Sequence, residues 1–245
     1  MRGDRVRRPA NRDRALEALR QLHEVDVNFD YRSGSPVSAE TGWRVDDYCV
    51  ALPPEPPGAP LENGSWQVAK RLLADYEFAD PQIVRAVYDS EHPLDGRTML
   101  LEGRFFWMRF LFGVRVGEVV DDLVSIEGRN VRVWGWNYRT LEGHLERGQL
   151  DYEICKWTDT GEVEFRMHVV SRAAEIPNPV IRIGFRVFGR HMQKKFLRQA
   201  LKRMRILVES ELVAQETGRP LSDAPESAVG AFREAPPPPD SGPPA

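Results

Sequence analysis

The stretch NVRVWGWNYRTLEGHLERGQLDYEICKWTDTGEVEFRMHVV, residues 130–170, alternates apolar and polar side chains through three successive runs. Trp134, Trp136 and Tyr138 fall on one side of the first run, with Val131 and Val133 on the other. In the second, Leu150, Tyr152 and Ile154 oppose Asp151 and Glu153; in the third, Val163, Phe165, Met167 and Val169 oppose Glu162, Glu164, Arg166 and His168. A period of two is the period of an extended strand. Three such runs joined by short turns, TDTG among them, predict an antiparallel meander with one apolar face.

Upstream, RTMLLEGRFFWMRFLFGVRVGEVV (97–120) is too rich in bulky apolar residues for one exposed strand and reads as two or three. Further back, GWRVDDYCVALP has strand character, with Trp43, Val45, Tyr48, Val50 and Leu52 as its apolar positions, and PPEPPGAPLENG breaks the chain. Ser65 is the predicted N-cap of a helix that places Trp66, Ala69, Leu72, Leu73 and Tyr76 on one face. A second short helix is predicted after it, capped by Asp80, started by Pro81, with Ile83, Val84 and Val87 inward. Downstream of the meander, Asn178 and Pro179 open a long helix, on which Ile181, Phe185, Phe188, Met192, Phe196, Ala200 and Met204 recur at three- and four-residue steps. Strand, two helices, antiparallel sheet and long C-terminal helix is the order of an α+β helix-grip (START-like) fold, a curved antiparallel sheet around the last helix. In that architecture an apolar cavity lies between sheet and helix.

The bulk numbers bound the rest. The chain has 245 residues, 41% of them hydrophobic and 29% charged, with a net charge of -3. That balance supports one real core and gives no reason to expect nucleic acid. Three regions are predicted: a basic N-terminal extension (1–41) with a weak apolar face at Ala15, Leu16, Leu19 and Leu22, a START-like domain (42–214), and a disordered Pro-rich tail (215–245) ending in EAPPPPDSGPPA. The first residues lack the apolar core of a signal peptide, and the most apolar run carries Arg109 and Arg115. Two distant cysteines, Cys49 and Cys155, read as free thiols, and a cytoplasmic location is expected. No cofactor and no metal are expected, because neither HExxH nor CxxC occurs.

Chemistry is sparser than architecture. His144 and Glu146 lie between Gly143 and Gly148, where a loop tip would hold them exposed. His144 is either a general acid or base oriented by Glu146 or Glu142, or a turn residue bonded to a backbone carbonyl. Trp134, Trp136 and Tyr138 line a ligand cavity or are plain core. His168, beside Glu164 and Arg166, belongs to a solvated sheet face. On the long helix, Arg182, Arg186, Arg190, Lys194, Arg198 and Lys202 recur every fourth residue, and no acid occurs from Asn178 to Val208. Each such like-charge pair costs about 0.2–0.5 kcal/mol in isolation, so ion pairing or an anionic surface should offset it. A four-residue step drifts about 40° per repeat, which winds the row around the helix.

The segments YRTLEGHLERG, FRMHVVSRAA and FGRHMQKKFLRQALKRM resemble the motifs of a family described as domain of unknown function nineteen-ninety, over roughly residues 42–210. The matching positions are Tyr138, Thr140, Leu141, Gly143, His144, Glu146, Gly148, Ser171, Arg172 and Gln193. Leu145 and Ala173 stand where that family has proline, and Gln149 where it has glutamate, which loosens the loop geometry and the need for an acidic pair. The resemblance implies the START-like superfamily and lends no activity. The leading expectation is a module that binds a small apolar or amphipathic molecule with Trp134, Trp136, Tyr138, Phe185, Phe188 and Met192. A cyclase- or hydrolase-like enzyme using Tyr138, His144, Glu146 and Arg172 is the alternative. A third is an interaction protein contacting an anionic surface through Arg182, Arg186, Arg190, Lys194 and Arg198.

Overall fold

The alternating runs become the centre of one sheet. The computed structural model describes residues 9–29, 41–105, 108–174, 179–218 and 229–232, with side chains at 16–29, 41–103, 110–174 and 189–218. The elements are α1 (Pro9–His23), β1 (Arg44–Leu52), α2 (Ser65–Ala74), β2 (Val84–Asp89), β3 (Thr98–Phe105), β4 (Met108–Ile126), β5 (Arg129–Thr140), β6 (Glu146–Trp157), β7 (Val163–Ala173), α3 (Pro179–Thr217) and β8 (Val229–Phe232). Strand order is β1-β7-β6-β5-β4-β3-β2-β8. The first seven form a curved antiparallel sheet, and β8 adds in parallel to β2. This is the α+β helix-grip arrangement, with α3 and α2 laid on the inner face of the sheet.

Register fixes which residues look inward. Trp134 pairs with Ile154, Trp136 with Tyr152 and Tyr138 with Leu150, while Tyr152 pairs with Met167 and Ile154 with Phe165. These side chains share one core with Leu197, Ala200, Met204 and Val208 of α3 and Trp66, Leu72 and Leu73 of α2. Burying each Leu- or Phe-sized side chain contributes about 1.5–3 kcal/mol, so sheet and helix hold each other. Val131, Val133, Cys155 and Trp157 form a separate small cluster on the outer face, where the alternation had put the valines.

Several elements depart from the sequence reading. The predicted helix at 80–87 is one turn followed by β2: Asp80 does cap, its Oδ1 accepting from Gln82 N at 2.8 Å, but the β-branched residues after it pair with β3. Gly64, not Ser65, precedes α2, and it has no side-chain cap of its own. The capping carboxylate is remote: Glu55 Oε1 accepts from Trp66 N at 2.8 Å. Glu55 Oε2 also meets the fully buried Lys156 Nζ at 2.7 Å, and Lys156 donates again to Ala59 O at 2.9 Å. One buried ion pair therefore organises the proline-rich break. The apolar 97–120 run, read as two or three strands, supplies two: β3 and a 19-residue β4 whose register shifts between Val116 and Val119.

The ends also differ from the predicted boundaries. The segment ahead of residue 42 packs on the sheet: α1 meets β3 and β2, Leu19 is buried, and Arg115 donates to the carbonyls of Leu22, His23 and Val25. Helix α3 runs past residue 214, and Val229–Phe232, placed in the tail by the sequence, pair with β2. The rest of the proposed tail lies outside the described residues.

Candidate functional site: a polar end to an aromatic interior

The inner face has two ends of different character. Where α2 and the second half of α3 cover it, packing is closed: Tyr76, Phe78, Tyr152, Phe165, Leu197 and Met204 are at most 1% exposed. Toward the first half of α3, Tyr48, Phe112, Tyr138 and Met192 are only partly buried against the same core. That end is an aromatic wall with part of its surface uncovered, and the polar groups of the inner face gather there.

Four elements bring those groups together. Glu146, at the first position of β6, shares the inner parity with Gly148 and Leu150, opposite Ser171 and Val169 of β7. From α3, Gln193 Nε2 donates to Glu146 Oε2 at 3.3 Å and to Ser171 Oγ at 3.2 Å. Gln193 Oε1 accepts from Arg190 at 2.7 Å, and Arg190 pairs with Asp46 of β1. The chain Glu146–Gln193–Arg190–Asp46 thus ties helix to sheet at its polar end. Glu146 Oε1 and Asp46 Oδ2 are buried and have no hydrogen-bond partner among the described residues. Burial pushes the Glu146 carboxyl up to about 7, against the opposing pull of Arg44 and Arg190.

A tyrosine cluster adjoins this chain. Tyr138 and Tyr152 have ring centroids 5.8 Å apart, and Trp136 lies 5.0 Å from Tyr152. Burial pushes Tyr138 up to about 12, with the Glu146 charge adding to the rise, and holds Tyr76 and Tyr152 well above the usual phenol range. The buried hydroxyls of Tyr76, Tyr138 and Tyr152 face and influence one another. All three phenols stay neutral at ordinary pH and act as hydroxyl donors or acceptors, not as bases.

His144 and Glu146, expected at an exposed tip, are half-buried. Gly143 takes the positive φ of 84° that turns the chain, and His144 Nδ1 accepts from Glu146 N at 2.9 Å. The ring packs 4.7 Å from Phe112. Burial lowers the His144 pKa to about 4, so the ring is neutral, with its proton on Nε2. His144 closes the turn by accepting a backbone N–H, where the sequence reading had it bonded to a carbonyl. Gly148 next to it admits no side chain, since a Cβ would sit 2.1 Å from Val170 O. The N-terminal segment braces the same hairpin: Asn28 Nδ2 donates to Glu146 O at 3.2 Å, and Arg147 donates to Asn28 O at 3.0 Å.

Among the other sequence candidates, Trp134 and Trp136 are buried core with Lys70 Nζ 5.2 Å from the Trp134 ring. Met192 is half-buried near the polar end, and Arg172 is exposed on the outer parity of β7, away from Glu146. The side chains of Phe185, Phe188, Arg182 and Arg186 lie outside the described residues. His168 is on the outer face, 2.7 Å from Asp47 Oδ1. Asp46, Tyr76 and Tyr152 were not among the site candidates: the sequence placed the two tyrosines on apolar faces only, although Tyr152 pairs with the candidate Trp136. Among the described residues no group of His, Cys, Asp and Glu is arranged to hold a metal, and no helix is long and apolar enough to cross a membrane.

A family model described as "Domain of unknown function (DUF1990)" matches residues 30–203. No curated protein matches the chain in sequence. Among solved structures, Ara h 8.0201 is similar at 12% identity and a TM-score of 0.39, over 69% of this chain and 99% of that one. A Thalictrum norcoclaurine synthase point mutant in complex with a transition-state analogue gives 9% and 0.45, over 69% and 96%. A protein of Thermus thermophilus gives 9% and 0.42, over 68% and 98%.

Proposed function

The chain belongs to the DUF1990 family, and on that footing we propose that it binds a small amphipathic molecule between the inner face of the sheet and the first half of α3. The observation that carries this reading is the pair of buried, unpartnered carboxylate oxygens, Glu146 Oε1 and Asp46 Oδ2, beside a partly uncovered aromatic wall. Buried polar atoms without partners cost roughly 1–3 kcal/mol each, and a ligand that satisfies them recovers that cost. The apolar part of the ligand lies along Tyr48, Phe112, Tyr138 and Met192.

Titration of the isotopically labelled protein with octanol, followed by amide chemical shifts, tests the reading. The expected shifts cluster at Tyr48, Tyr138, Glu146 and Met192, and the Met192→Trp variant, which fills that space, abolishes them. Shifts spread over the outer face, or none at millimolar octanol, would sink it.

A second reading, a proton-transferring enzyme of the cyclase or hydrolase sort, is favoured by one observation: a carboxyl poised near neutrality at Glu146 close to the neutral Tyr138 hydroxyl. In that reading Glu146 moves the proton and Tyr138 holds the substrate oxygen. His144 is occupied at Nδ1, and Arg172 stands away from the site.

A further inference from the structure

We propose that the polar end of this site selects a hydrogen-bond-donating head group, a primary ammonium in preference to a hydroxyl, and rejects carboxylates. The inference rests on the binding reading above and adds the chemistry of the head group. It follows from an inventory of what the polar end still has to offer.

The donors of Gln193, Arg190 and the start of β6 that are placed at this end already serve protein acceptors. Gln193 Nε2 serves both Glu146 Oε2 and Ser171 Oγ. Arg190 serves Asp46 Oδ1 and Gln193 Oε1. The backbone N–H groups of Glu146 and Gly148 are taken by His144 Nδ1 and Thr140 Oγ1. At the polar end the buried carboxylate atoms without partners are acceptors: one oxygen of Glu146 and one of Asp46, on the two carboxylates that end the same hydrogen-bonded chain. The phenol hydroxyls of Tyr76 and Tyr152 can play either part.

Electrostatics points the same way. An entering carboxylate would face two carboxyl groups and leave both vacant oxygens unsatisfied, a cost borne in a partly desolvated site. Arg190, a half-buried cation, is neutralised by Asp46. Arg44, which shares the inner parity of β1, is exposed, so water screens it. An ammonium supplies three donors and a charge that complements Glu146 once that group is ionised. A hydroxyl supplies one donor and no charge, which ranks it second.

Three probes with one apolar body separate these cases: octylamine, octanol and octanoate, titrated calorimetrically at pH 8 into the full chain. The expected order is octylamine tightest, then octanol, with octanoate weaker than octylamine by about tenfold or more. The Glu146→Gln variant should weaken octylamine by about tenfold and octanol by less, so that the amine's advantage shrinks. Asp46→Asn is the second variant, and it too should reduce the amine's advantage. Octanoate binding as tightly as octylamine, or an amine preference untouched in both variants, would overturn the proposal while leaving the binding reading intact. If none of the three probes binds, the binding reading falls and this proposal with it.

Discussion

At the scale of single residues, polar side chains buried between sheet and helices divide into two kinds. Glu55 is saturated: it accepts from Leu61 N at 3.0 Å, from Trp66 N at 2.8 Å and from Lys156 Nζ at 2.7 Å. Glu146 is not, keeping one oxygen vacant. Saturation marks structure, since both carboxylate oxygens already have donors and neither is left for a ligand. Removing one member of a saturated buried pair strands the other, at a cost of about 3–5 kcal/mol, whereas removing both charges together costs much less. Urea denaturation should therefore show Lys156→Met destabilised by about that amount, with the Glu55→Gln/Lys156→Met double variant recovering at least half of the loss. Equal losses in the single and double variants would mean that the pair is valued for packing alone. Sequence could not have shown this pair, because its members lie 101 residues apart and one sits in a proline-rich break.

Among the elements, α1 and the segment after it carry an unexpected share of the site's support. Residue Asn28 N donates to Thr140 O at 2.9 Å, its side chain bonds Glu146 O, and Val27 bridges to Leu141. Asn28→Ala removes the side-chain part of that brace, worth about 1 kcal/mol per hydrogen bond. Hydrogen exchange at the amides of residues 142–148 should speed by about fivefold or more in the variant, while β7 amides stay protected. Uniform exchange across both would assign Asn28 to global stability only. The strands were legible in the sequence because alternation at Trp134, Trp136, Tyr152 and Phe165 reports directly on one buried face. The brace was not, because its contacts are backbone pairings and one asparagine, which leave no periodic trace. Helix α3 was legible from Phe196, Ala200 and Met204, and the described part of its every-fourth-residue basic row winds around it as that spacing implies. Arg190 turns inward to Asp46, while His191, Lys195, Arg198, Lys202 and Arg205 are exposed at alternating steps of four and three, a straight stripe.

For the molecule as a whole, the polar end sets how stability responds to acid, through two neighbours shifted in opposite directions. Glu146 has a folded pKa of about 7, above its ordinary value of 4.5, so the folded state holds its proton more tightly and that contribution is lost as pH rises from 4.5 to 7. His144 has a folded pKa of about 4, below its ordinary 6.5, so the folded state refuses the proton and stability is gained as pH rises from 4 to 6.5. Over their shared range the two slopes oppose each other and nearly cancel in the intact protein. Each shift taken alone amounts to about 2–3 kcal/mol after allowance for partial exposure. Subtracting the unfolding free energy of Glu146→Gln from that of the intact chain should give a difference that falls across pH 4.5–7. The corresponding difference for His144→Gln should rise across pH 4–6.5. Differences taken this way remove the carboxylates and histidines common to both proteins. A flat Glu146 difference would mean that its carboxyl titrates in the folded chain as it does in the unfolded one, reached by water, and would remove the charge switch on which proton transfer by Glu146 depends.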